Sequence, residues 1–295
     1  MLVLQKINEI KVVVEERKLN GKTIGFVPTM GALHPGHISL INYSKQQTDV
    51  TVCSIFVNPT QFNNQSDLKN YPRTPEADVK LLEEAGCDIL YMPEVSDVYP
   101  ENDTRKFDFG YLDTILEGAT RPGHFNGVGQ VVSILLEGVK PDKAFFGSKD
   151  YQQVMVVKNL VKQINLPVEI IPCPILREPD GLAMSSRNTR LSSDERKIAA
   201  FIPQWMQEAI SIIKEKGIEA AKQFINEKVS KVPEMKLDYY EVCDANTLES
   251  ISDTKRVTLS MSLRAESRSE GRQKAIALIA VFVGNIRLID NWMVE

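Results

Sequence analysis

The chain has 295 residues, of which 43% are hydrophobic and 25% charged, a composition typical of globular proteins. This length is about twice that of a usual domain, so two domains are expected. The net charge of −4 gives no electrostatic reason to expect nucleic acid as a partner. No apolar run approaches the ~20 residues that span a bilayer, and acidic residues interrupt the N-terminal stretch where a signal peptide would be apolar. We therefore expect no membrane association.

The four cysteines show neither CxxC nor zinc-ligand spacing, so the common zinc-site signatures are excluded. They are Cys53, Cys87, Cys173 and Cys243. Free buried thiols of this kind are typical of proteins in a reducing compartment, and a cytoplasmic location is expected.

Apolar runs alternate with helix-like segments through the first half of the chain. The predicted strands are Thr23–Val27, Val50–Val57, Asp88–Tyr91, Lys143–Phe146 and Val168–Ile171. The predicted helices are Ile38–Lys45, Pro75–Ala85, Gly127–Glu137 and Tyr151–Gln163. This alternation predicts an α/β fold, a Rossmann-like parallel sheet covered by helices on both faces. In such sheets, ligands bind beyond the carboxyl ends of the strands.

The pattern changes at Pro172–Pro179, which holds three prolines. Helices are predicted from Ser192, where Ser and Asp residues suit a helix cap, to about Lys231. The strands predicted after them are Leu237–Val242, Arg256–Ser262, Ala275–Val283 and Ile286–Ile289. Charges of both signs at Arg264–Lys274 indicate a solvated loop. We predict a Rossmann-like domain over residues 1–175 and a smaller α+β domain over residues 176–295.

Two of the three histidines fall in the tetrapeptide His34-Pro35-Gly36-His37, which follows a predicted strand and opens a helix. Pro35 suits the first helical turn, and histidines three residues apart share one helix face. The free backbone N–H groups at a helix start favour an anion, and the imidazoles would add donors for a phosphate. The alternative interpretation is a pair of capping or core histidines.

A second segment with polar side chains, Ile55–Phe62 (IFVNPTQF), leaves the next predicted strand at the same edge of the sheet. Asn58 and Gln61 offer neutral hydrogen bonds to a substrate. The alternative is an ordinary turn, which Asn-Pro often marks.

A third segment, Phe146–Gln153 (FGSKDYQQ), again joins a strand, a glycine turn and a helix. Lys149 would neutralise phosphate charge, and Asp150 would accept hydrogen bonds from ribose hydroxyls. Gln153 lies three residues further on the same helix face. A glycine turn with an Asp cap is the alternative.

The fourth segment is Asp180–Asn188 (DGLAMSSRN), near the predicted domain boundary. The hydroxyls of Ser185 and Ser186 and the guanidinium of Arg187 suit a triphosphate. A polar interdomain loop is the alternative, and a closing lid that excludes water is the functional interpretation.

Three more residues are weaker candidates. Arg121 and His124, in the segment RPGHF, are interpreted either as shaping the site or as a surface turn with a satisfied histidine. Asp78 is interpreted either as a magnesium contact or as a solvated acid at a helix start.

The run Pro28–His37 (PTMGALHPGH) resembles the signature of the pantothenate synthetases. These belong to the wider group of nucleotidyltransferases and class I aminoacyl-tRNA synthetase-like folds with an H-x-G-H motif. The four segments occur in the expected order, and the resemblance resumes at Ile286–Asn291 (IRLIDN). It implies ATP-dependent condensation of (R)-pantoate with β-alanine through a pantoyl adenylate, with AMP and pyrophosphate as the other products. It also implies Mg²⁺ with the ATP, and a homodimer.

The same resemblance implies the roles of particular residues. The catalytic residues would be His34, His37 and Lys149, with His37 as the proton donor. Pantoate and β-alanine would contact Gln61, Gln153 and Asn58. The ATP site would consist of Met30, Gly31, Ala32, Leu33, His34, Pro35, Gly36, His37, Gly147, Ser148, Lys149, Asp150, Leu176, Met184, Ser185, Ser186 and Arg187. Ser148 stands where many relatives carry Glu, and the sequence does not indicate the metal ligands.

Two other functions are weighed against this one. A different adenylyltransferase of the same fold would need a pocket for a nucleotide monophosphate, whereas the second and third segments offer amides rather than cations. An RNA-binding relative of the aminoacyl-tRNA synthetases would be expected to carry a basic extension, and the acidic balance of the chain argues against it.

Overall fold

The computed structural model describes residues 1–62, 68–99, 104–252 and 274–294. Its chain contacts divide it into two compact units, Met1–Leu176 and Arg177–Glu295. Among the helices within the described ranges, none combines the length and the apolar composition that a membrane crossing needs.

The first unit contains a six-stranded parallel sheet with the strand order β1-β4-β3-β2-β5-β6. Its strands are β1 (Leu2–Leu4), β2 (Ile24–Thr29), β3 (Val50–Ile55), β4 (Ile89–Tyr91), β5 (Lys143–Gly147) and β6 (Glu169–Cys173). Its helices are α1 (Ile7–Leu19), α2 (Pro35–Gln47), α3 (Pro75–Glu84), α4 (Val95–Val98), α5 (Leu116–Thr120), α6 (His124–Val139) and α7 (Tyr151–Gln163). The predicted fold class is confirmed.

The central strands are apolar because helices cover the sheet. Every residue of β3 except Ile55 is buried, and only Pro28 of β2 is partly exposed. Helix α6 is the most deeply buried helix of this unit, with 13 of its 16 residues buried. Two buried faces explain why these segments are uniform apolar runs rather than alternating ones.

Strand β3 ends two residues earlier than predicted, because Asn58 and Pro59 begin a short 3₁₀ turn over Pro59–Gln61. The side chain of Asn58 accepts a hydrogen bond from the Thr60 N–H in this turn. The close approach of helix α6 depends on Gly127, where an added Cβ would lie 2.5 Å from the Thr60 carbonyl oxygen. The 3₁₀ turn is therefore packed directly against α6.

Within its described residues, the second unit contains three helices and a three-stranded antiparallel sheet in the order β7-β8-β9. The helices are α8 (Ser193–Ala199), α9 (Phe201–Lys216) and α10 (Ile218–Ser230). The strands are β7 (Met235–Asp244), β8 (Ala275–Val283) and β9 (Ile286–Val294). Strand β8 has the predicted limits, whereas β9 runs five residues beyond its predicted end. The predicted strand Arg256–Ser262 and all but the last residue of Arg264–Lys274 lie outside the described residues.

Candidate active site

Three of the four sequence segments meet at one edge of the parallel sheet. Strands β3, β2 and β5 are neighbours in the sheet. Met30–His34 follows the carboxyl end of β2, Phe56–Phe62 follows that of β3, and Ser148–Asp150 follows that of β5. The chain leaves β2 toward β3 on one side and later returns to β5 on the other, so the strand order reverses between β2 and β5. Such a reversal opens the crevice in which α/β sheets bind ligands.

The two histidines at the start of α2 have their tautomers fixed by backbone donors. His34 caps the helix, and its Nδ1 accepts a hydrogen bond from the Gly36 N–H at 3.1 Å. The Nδ1 of His37 accepts from the His34 N–H at 3.3 Å, and the two ring centroids lie 4.0 Å apart. In a neutral imidazole, one nitrogen accepts and the other carries the proton. Both rings therefore present Nε2–H donors.

Burial keeps both rings neutral at physiological pH. It lowers the pKa of His34 to about 4 and that of His37 to about 3. These values include a smaller lowering by the Lys149 ammonium at both rings and by His34 at His37, whereas the Asp150 carboxylate opposes the shift of the His34 pKa. The structure thus brings the third segment, on a 3₁₀ turn over Ser148–Asp150, within electrostatic reach of the first.

The loop before α2 is held by a buried carboxylate. Gly31 and Ala32 both have left-handed backbone conformations, with φ of 78° and 48°. Asp78, which is 1% exposed, accepts hydrogen bonds from the N–H groups of Ala32 at 2.9 Å and Leu33 at 2.8 Å, and from the Thr74 hydroxyl at 3.0 Å. The interpretation of Asp78 as a solvated acid is wrong, because its carboxylate has these three donors. The Ala32 and Leu33 N–H groups are engaged there.

Asn58 is buried, and backbone groups orient its side-chain amide. Its Nδ2 donates to the Gly127 carbonyl at 3.0 Å, while its Oδ1 accepts from the Thr60 N–H at 3.3 Å and the Tyr99 hydroxyl at 2.8 Å. A carbonyl only accepts and a backbone N–H only donates, so these partners decide which end of the amide is nitrogen. The same Nδ2 donates to Oε1 of Gln61 at 3.2 Å. Gln61 must therefore direct its Nε2–H groups away from Asn58.

The Nε2 of Gln61 lies 3.0 Å from the Met30 sulfur, so the second segment meets the first. Asn58 has partners at both ends of its amide, including the carbonyl of α6. Of the two amides in the second segment, Gln61 is the one whose donors face the first loop.

Adjacent glutamines at the start of α7 differ sharply in their surroundings. Gln152 is buried: its Oε1 accepts from the Glu117 N–H at 2.9 Å, and its Nε2 donates to the Leu112 carbonyl at 2.8 Å and the Ile115 carbonyl at 3.0 Å. Gln153 is half-buried, and its side chain has no hydrogen-bond partner in the part of the chain that the structure describes. Gln152 is structural, and Gln153 has an amide available for a ligand.

His124 is buried, whereas Pro122 and Gly123 before it form an exposed turn, so the segment RPGHF is a surface turn with a satisfied histidine that also reaches the second segment. The side chain is 5% exposed at the start of α6. Its Nδ1 lies 2.8 Å from the Gln61 carbonyl oxygen, and its Nε2 lies 3.1 Å from Nη1 of Arg121. Sequence reasoning gave this histidine little weight because no local pattern shows that it reaches the second segment.

The fourth segment lies in the second unit and is stabilised there. Ser185 caps a 3₁₀ turn over Ser186–Arg190 by accepting from the Arg187 N–H. Met184, Ser185 and Arg187 are half-buried and Ser186 is buried, whereas Leu176, the last residue of the first unit, is 40% exposed.

A partly buried ion pair at the start of this segment was not predicted from the sequence. The Arg177 guanidinium bonds both oxygens of Asp290, at 2.7 and 3.0 Å, and donates to the Gly181 carbonyl at 3.0 Å. It also lies 3.6 Å from the centre of the Trp292 ring. Asp290 belongs to the IRLIDN run that resembles the family, but nothing in the sequence indicates that Arg177 is its partner. The pair ties strand β9 to the start of the fourth segment.

None of the four cysteines resembles an enzyme nucleophile. All four cysteines are free and buried, and burial raises the pKa of Cys87 and Cys173 to about 11 and that of Cys243 to about 12. Within the described ranges, no group of three or more His, Cys, Asp or Glu side chains is placed to hold a metal ion.

The buried His124 predicts a loss of stability in mild acid. Burial and Arg121 lower the pKa of His124 to about 4, and the hydrogen bond to the Gln61 carbonyl, Glu117 and Asp150 only partly oppose this. As the pH falls, His124 of the unfolded chain binds a proton near pH 6.5, whereas His124 of the folded chain stays neutral until about pH 4. The stability contributed by neutral His124 is therefore full above pH 6.5 and is lost between pH 6.5 and about pH 4. Between pH 7 and about pH 4.5, His124→Gln should lose roughly 2 kcal/mol less unfolding free energy than the wild type, measured with urea. An equal loss in both proteins would contradict a neutral His124.

Comparisons with known proteins show the family to which the chain belongs. The sequence model of the family described as Pantoate-beta-alanine ligase matches residues 2–293. The pantothenate synthetase of Porphyromonas gingivalis is 45% identical over 291 residues, covering 99% of this chain and 98% of the relative. That of Caldicellulosiruptor bescii is 45% identical over 297 residues, covering 100% and 99%.

Solved structures give the same result. The crystal structure of pantothenate synthetase from Thermus thermophilus has a TM-score of 0.87 at 36% identity and covers 100% of both chains. The pantoate-beta-alanine ligase of Francisella tularensis, complexed with beta-gamma ATP and beta-alanine, has a TM-score of 0.79 at 35% identity and covers 100% of this chain and 98% of its own. The adenylyltransferase and RNA-binding alternatives find no support here. The resemblance carried by the sequence motifs is confirmed: the chain belongs to the pantoate-beta-alanine ligase family and is a ligase that joins pantoate to β-alanine.

Proposed function

We propose that the ligation proceeds in two steps at the carboxyl edge of the parallel sheet. A pantoate carboxylate oxygen attacks the α-phosphorus of ATP, the bond to the β-phosphate oxygen breaks, and pyrophosphate leaves. The amine of β-alanine then attacks the carbonyl of the pantoyl adenylate. The C–O bond to AMP breaks, the amide forms, and the amine loses a proton. No enzyme nucleophile is required, which agrees with the buried, protonated cysteines.

The observation that carries the proposal is the meeting of the three loops after β2, β3 and β5. In the proposal, His34 and His37 donate Nε2–H to phosphate oxygens, and Lys149 neutralises the charge that develops there. His37 acts as a neutral hydrogen-bond donor rather than as an acid, because burial lowers its pKa to about 3. Positioning and charge neutralisation then provide most of the catalysis.

Pantoate is assigned to the amides in this scheme. Gln61 and Gln153 would bind it, whereas Asn58 would act through Gln61, because its own amide already has partners at both ends. The remaining residues of the predicted ATP site are proposed to shape the nucleotide pocket: Met30, Gly31, Ala32, Leu33, Pro35, Gly36, Gly147, Ser148, Asp150 and Leu176.

The residues present fit an Mg²⁺ ion that is bound mainly through ATP. Magnesium commonly keeps several waters and takes only one or two protein carboxylates beside the phosphates. Asp78 is a poor candidate, because both of its oxygens accept hydrogen bonds from the protein. When bound, the ion would neutralise charge on the phosphate oxygens.

In the second unit, we propose that Met184, Ser185, Ser186 and Arg187 bind the triphosphate and that this unit serves as a lid. The chemistry of two hydroxyls beside a guanidinium supports that role.

We also propose a cytoplasmic homodimer. The four free, buried cysteines agree with a reducing compartment, and sedimentation would give twice the mass of one chain.

The function is tested by following pyrophosphate and amide separately. Pantoate and ATP alone should release pyrophosphate up to the amount of enzyme, and β-alanine should then give continuous turnover and pantothenate. Pyrophosphate release that needs β-alanine from the start would contradict an adenylate intermediate. Release driven by nucleotide acceptors would favour a nucleotide adenylyltransferase instead.

Gln61→Ala should raise the KM for pantoate about tenfold or more while the KM for ATP changes little. The Nε2–H donors of Gln61 are lost in this variant, and a hydrogen bond to a charged group contributes roughly 1.5–3 kcal/mol. Gln47→Ala, on the exposed end of α2, is the matched control. An unchanged pantoate dependence would remove Gln61 from the pantoate site.

A further inference from the structure

His124 contacts Gln61 of the proposed pantoate site. It begins helix α6, is 5% exposed, and lies 63 residues from Gln61 in the sequence. Its imidazole bridges the backbone of the second segment and the side chain of Arg121. Arg121 in turn lies 3.6 Å from the Glu117 carboxylate.

The partners of His124 determine where its proton lies. The Gln61 carbonyl oxygen at 2.8 Å only accepts, so Nδ1 must carry the hydrogen. A guanidinium only donates, so Nε2 must be the acceptor for Arg121 at 3.1 Å. This is the opposite tautomer to that of His34 and His37. Because both ring nitrogens have partners, His124 has no lone pair or proton to offer a substrate.

Two residues therefore hold Gln61 from different directions. Asn58 binds the oxygen of its side-chain amide, and His124 binds its backbone carbonyl. We propose that His124 is a positioning residue for pantoate, which fixes the backbone of Gln61 so that its Nε2–H donors point at the substrate. This inference rests on the proposed role of Gln61 in binding pantoate.

Two substitutions separate the two ring nitrogens. Asparagine places an amide N–H near the position of Nδ1, so His124→Asn keeps the bond to Gln61 and loses the one to Arg121. Glutamine reaches the position of Nε2, so His124→Gln does the reverse. We expect His124→Gln to raise the pantoate KM about tenfold, the scale of one hydrogen bond, with kcat and the ATP KM nearly unchanged. His124→Asn should stay within a few-fold of the wild type.

Equal effects of the two substitutions, or an equal rise in the ATP KM, would overturn the inference and indicate a structural role only. Adding His124→Gln to Gln61→Ala should raise the pantoate KM little further, because the group being positioned is already absent. If Gln61→Ala itself leaves the pantoate KM unchanged, the proposed role of Gln61 fails. If Gln61→Ala raises it and the two His124 variants behave alike, only the inference about His124 fails.

One measurement needs no variant and so does not depend on folding. Imidazole ¹⁵N chemical shifts in the wild-type protein distinguish the two neutral tautomers of each of the three histidines. His124 should be protonated at Nδ1, and His34 and His37 at Nε2. Protonation of His124 at Nε2 would exclude the bond to Gln61 and overturn the inference.

Discussion

Replacing His37 by alanine is expected to slow adenylate formation by about 100-fold or more, the usual scale for losing one directed donor at a phosphoryl-transfer centre. The structure makes this expectation specific to one atom. The Nδ1 of His37 is occupied by the His34 N–H, and only Nε2–H remains to meet the substrate. Single-turnover release of pyrophosphate from ATP and pantoate measures the step directly.

Two amide substitutions test that atom-level assignment. Glutamine places its N–H near the position of Nε2, so His37→Gln should recover part of the rate. His37→Asn retains a polar group near Nδ1, where it faces the His34 N–H, and should be as slow as alanine. If asparagine rescued the rate and glutamine did not, the donor would be on the wrong nitrogen in our scheme. A wild-type rate for His37→Ala would remove His37 from the first step.

The pH dependence distinguishes a neutral donor from an acid. A histidine that delivers a proton must be charged beforehand, and its activity would fall as pH rises through its pKa. Burial lowers the pKa of His37 to about 3, so its protonation state is constant from about pH 5 upward. Titration of His37 should therefore cause no decline in the rate of adenylate formation between pH 6 and 8. Any decline in that range should be the same in His37→Gln as in the wild type.

The fold could be predicted because its strands are buried on both faces and are therefore uniform apolar runs. Once β2, β3 and β5 are parallel neighbours, their following loops must meet at one edge. This is why the first three segments could be placed together from sequence alone. The short β1 (Leu2–Leu4) was missed, since its three residues at the sheet edge leave Leu2 and Val3 exposed.

The groups that hold the site could not be predicted, because their partners are distant in sequence. Asp78 binds backbone groups 45 and 46 residues away, and nothing in its own helix distinguishes it from a solvated acid. His124 and Asp290 are similar cases, with partners 63 and 113 residues away. Motif reading finds side chains that face a ligand, whereas the residues behind them depend on tertiary contacts.

Asn58 is a case in which the motif identified the segment but not the residue that faces the ligand. Its place beside Gln61 in a loop after a strand predicted a substrate contact. The structure instead directs its amide to Gly127, Thr60 and Gln61. Residue type and position were sufficient to find the segment, but only the hydrogen-bond partners reveal which of its two amides is available.

Asp78→Asn is expected to be the most damaging of the conservative substitutions outside the ligand contacts. The carboxylate accepts from two backbone N–H groups and a hydroxyl, and an amide replaces one of its oxygens with a donor that faces donors. The loop of left-handed Gly31 and Ala32 then loses a bond that fixes where α2 and its histidines begin. We expect the unfolding free energy to fall by about 3 kcal/mol, the range for a buried donor left unsatisfied beside a lost charged bond.

The effect on catalysis should be about as large as the effect on stability. A displacement of about 1 Å at a reacting group can cost 10²-fold in rate, so adenylate formation by folded Asp78→Asn should drop about 100-fold. Thr74→Val is the matched control, because it removes only the hydroxyl donor and leaves both backbone bonds to Asp78 in place. It should cost about 1 kcal/mol and change the rate only a few-fold. If both variants lowered the rate equally, the two bonds to the loop would not be what positions the histidines.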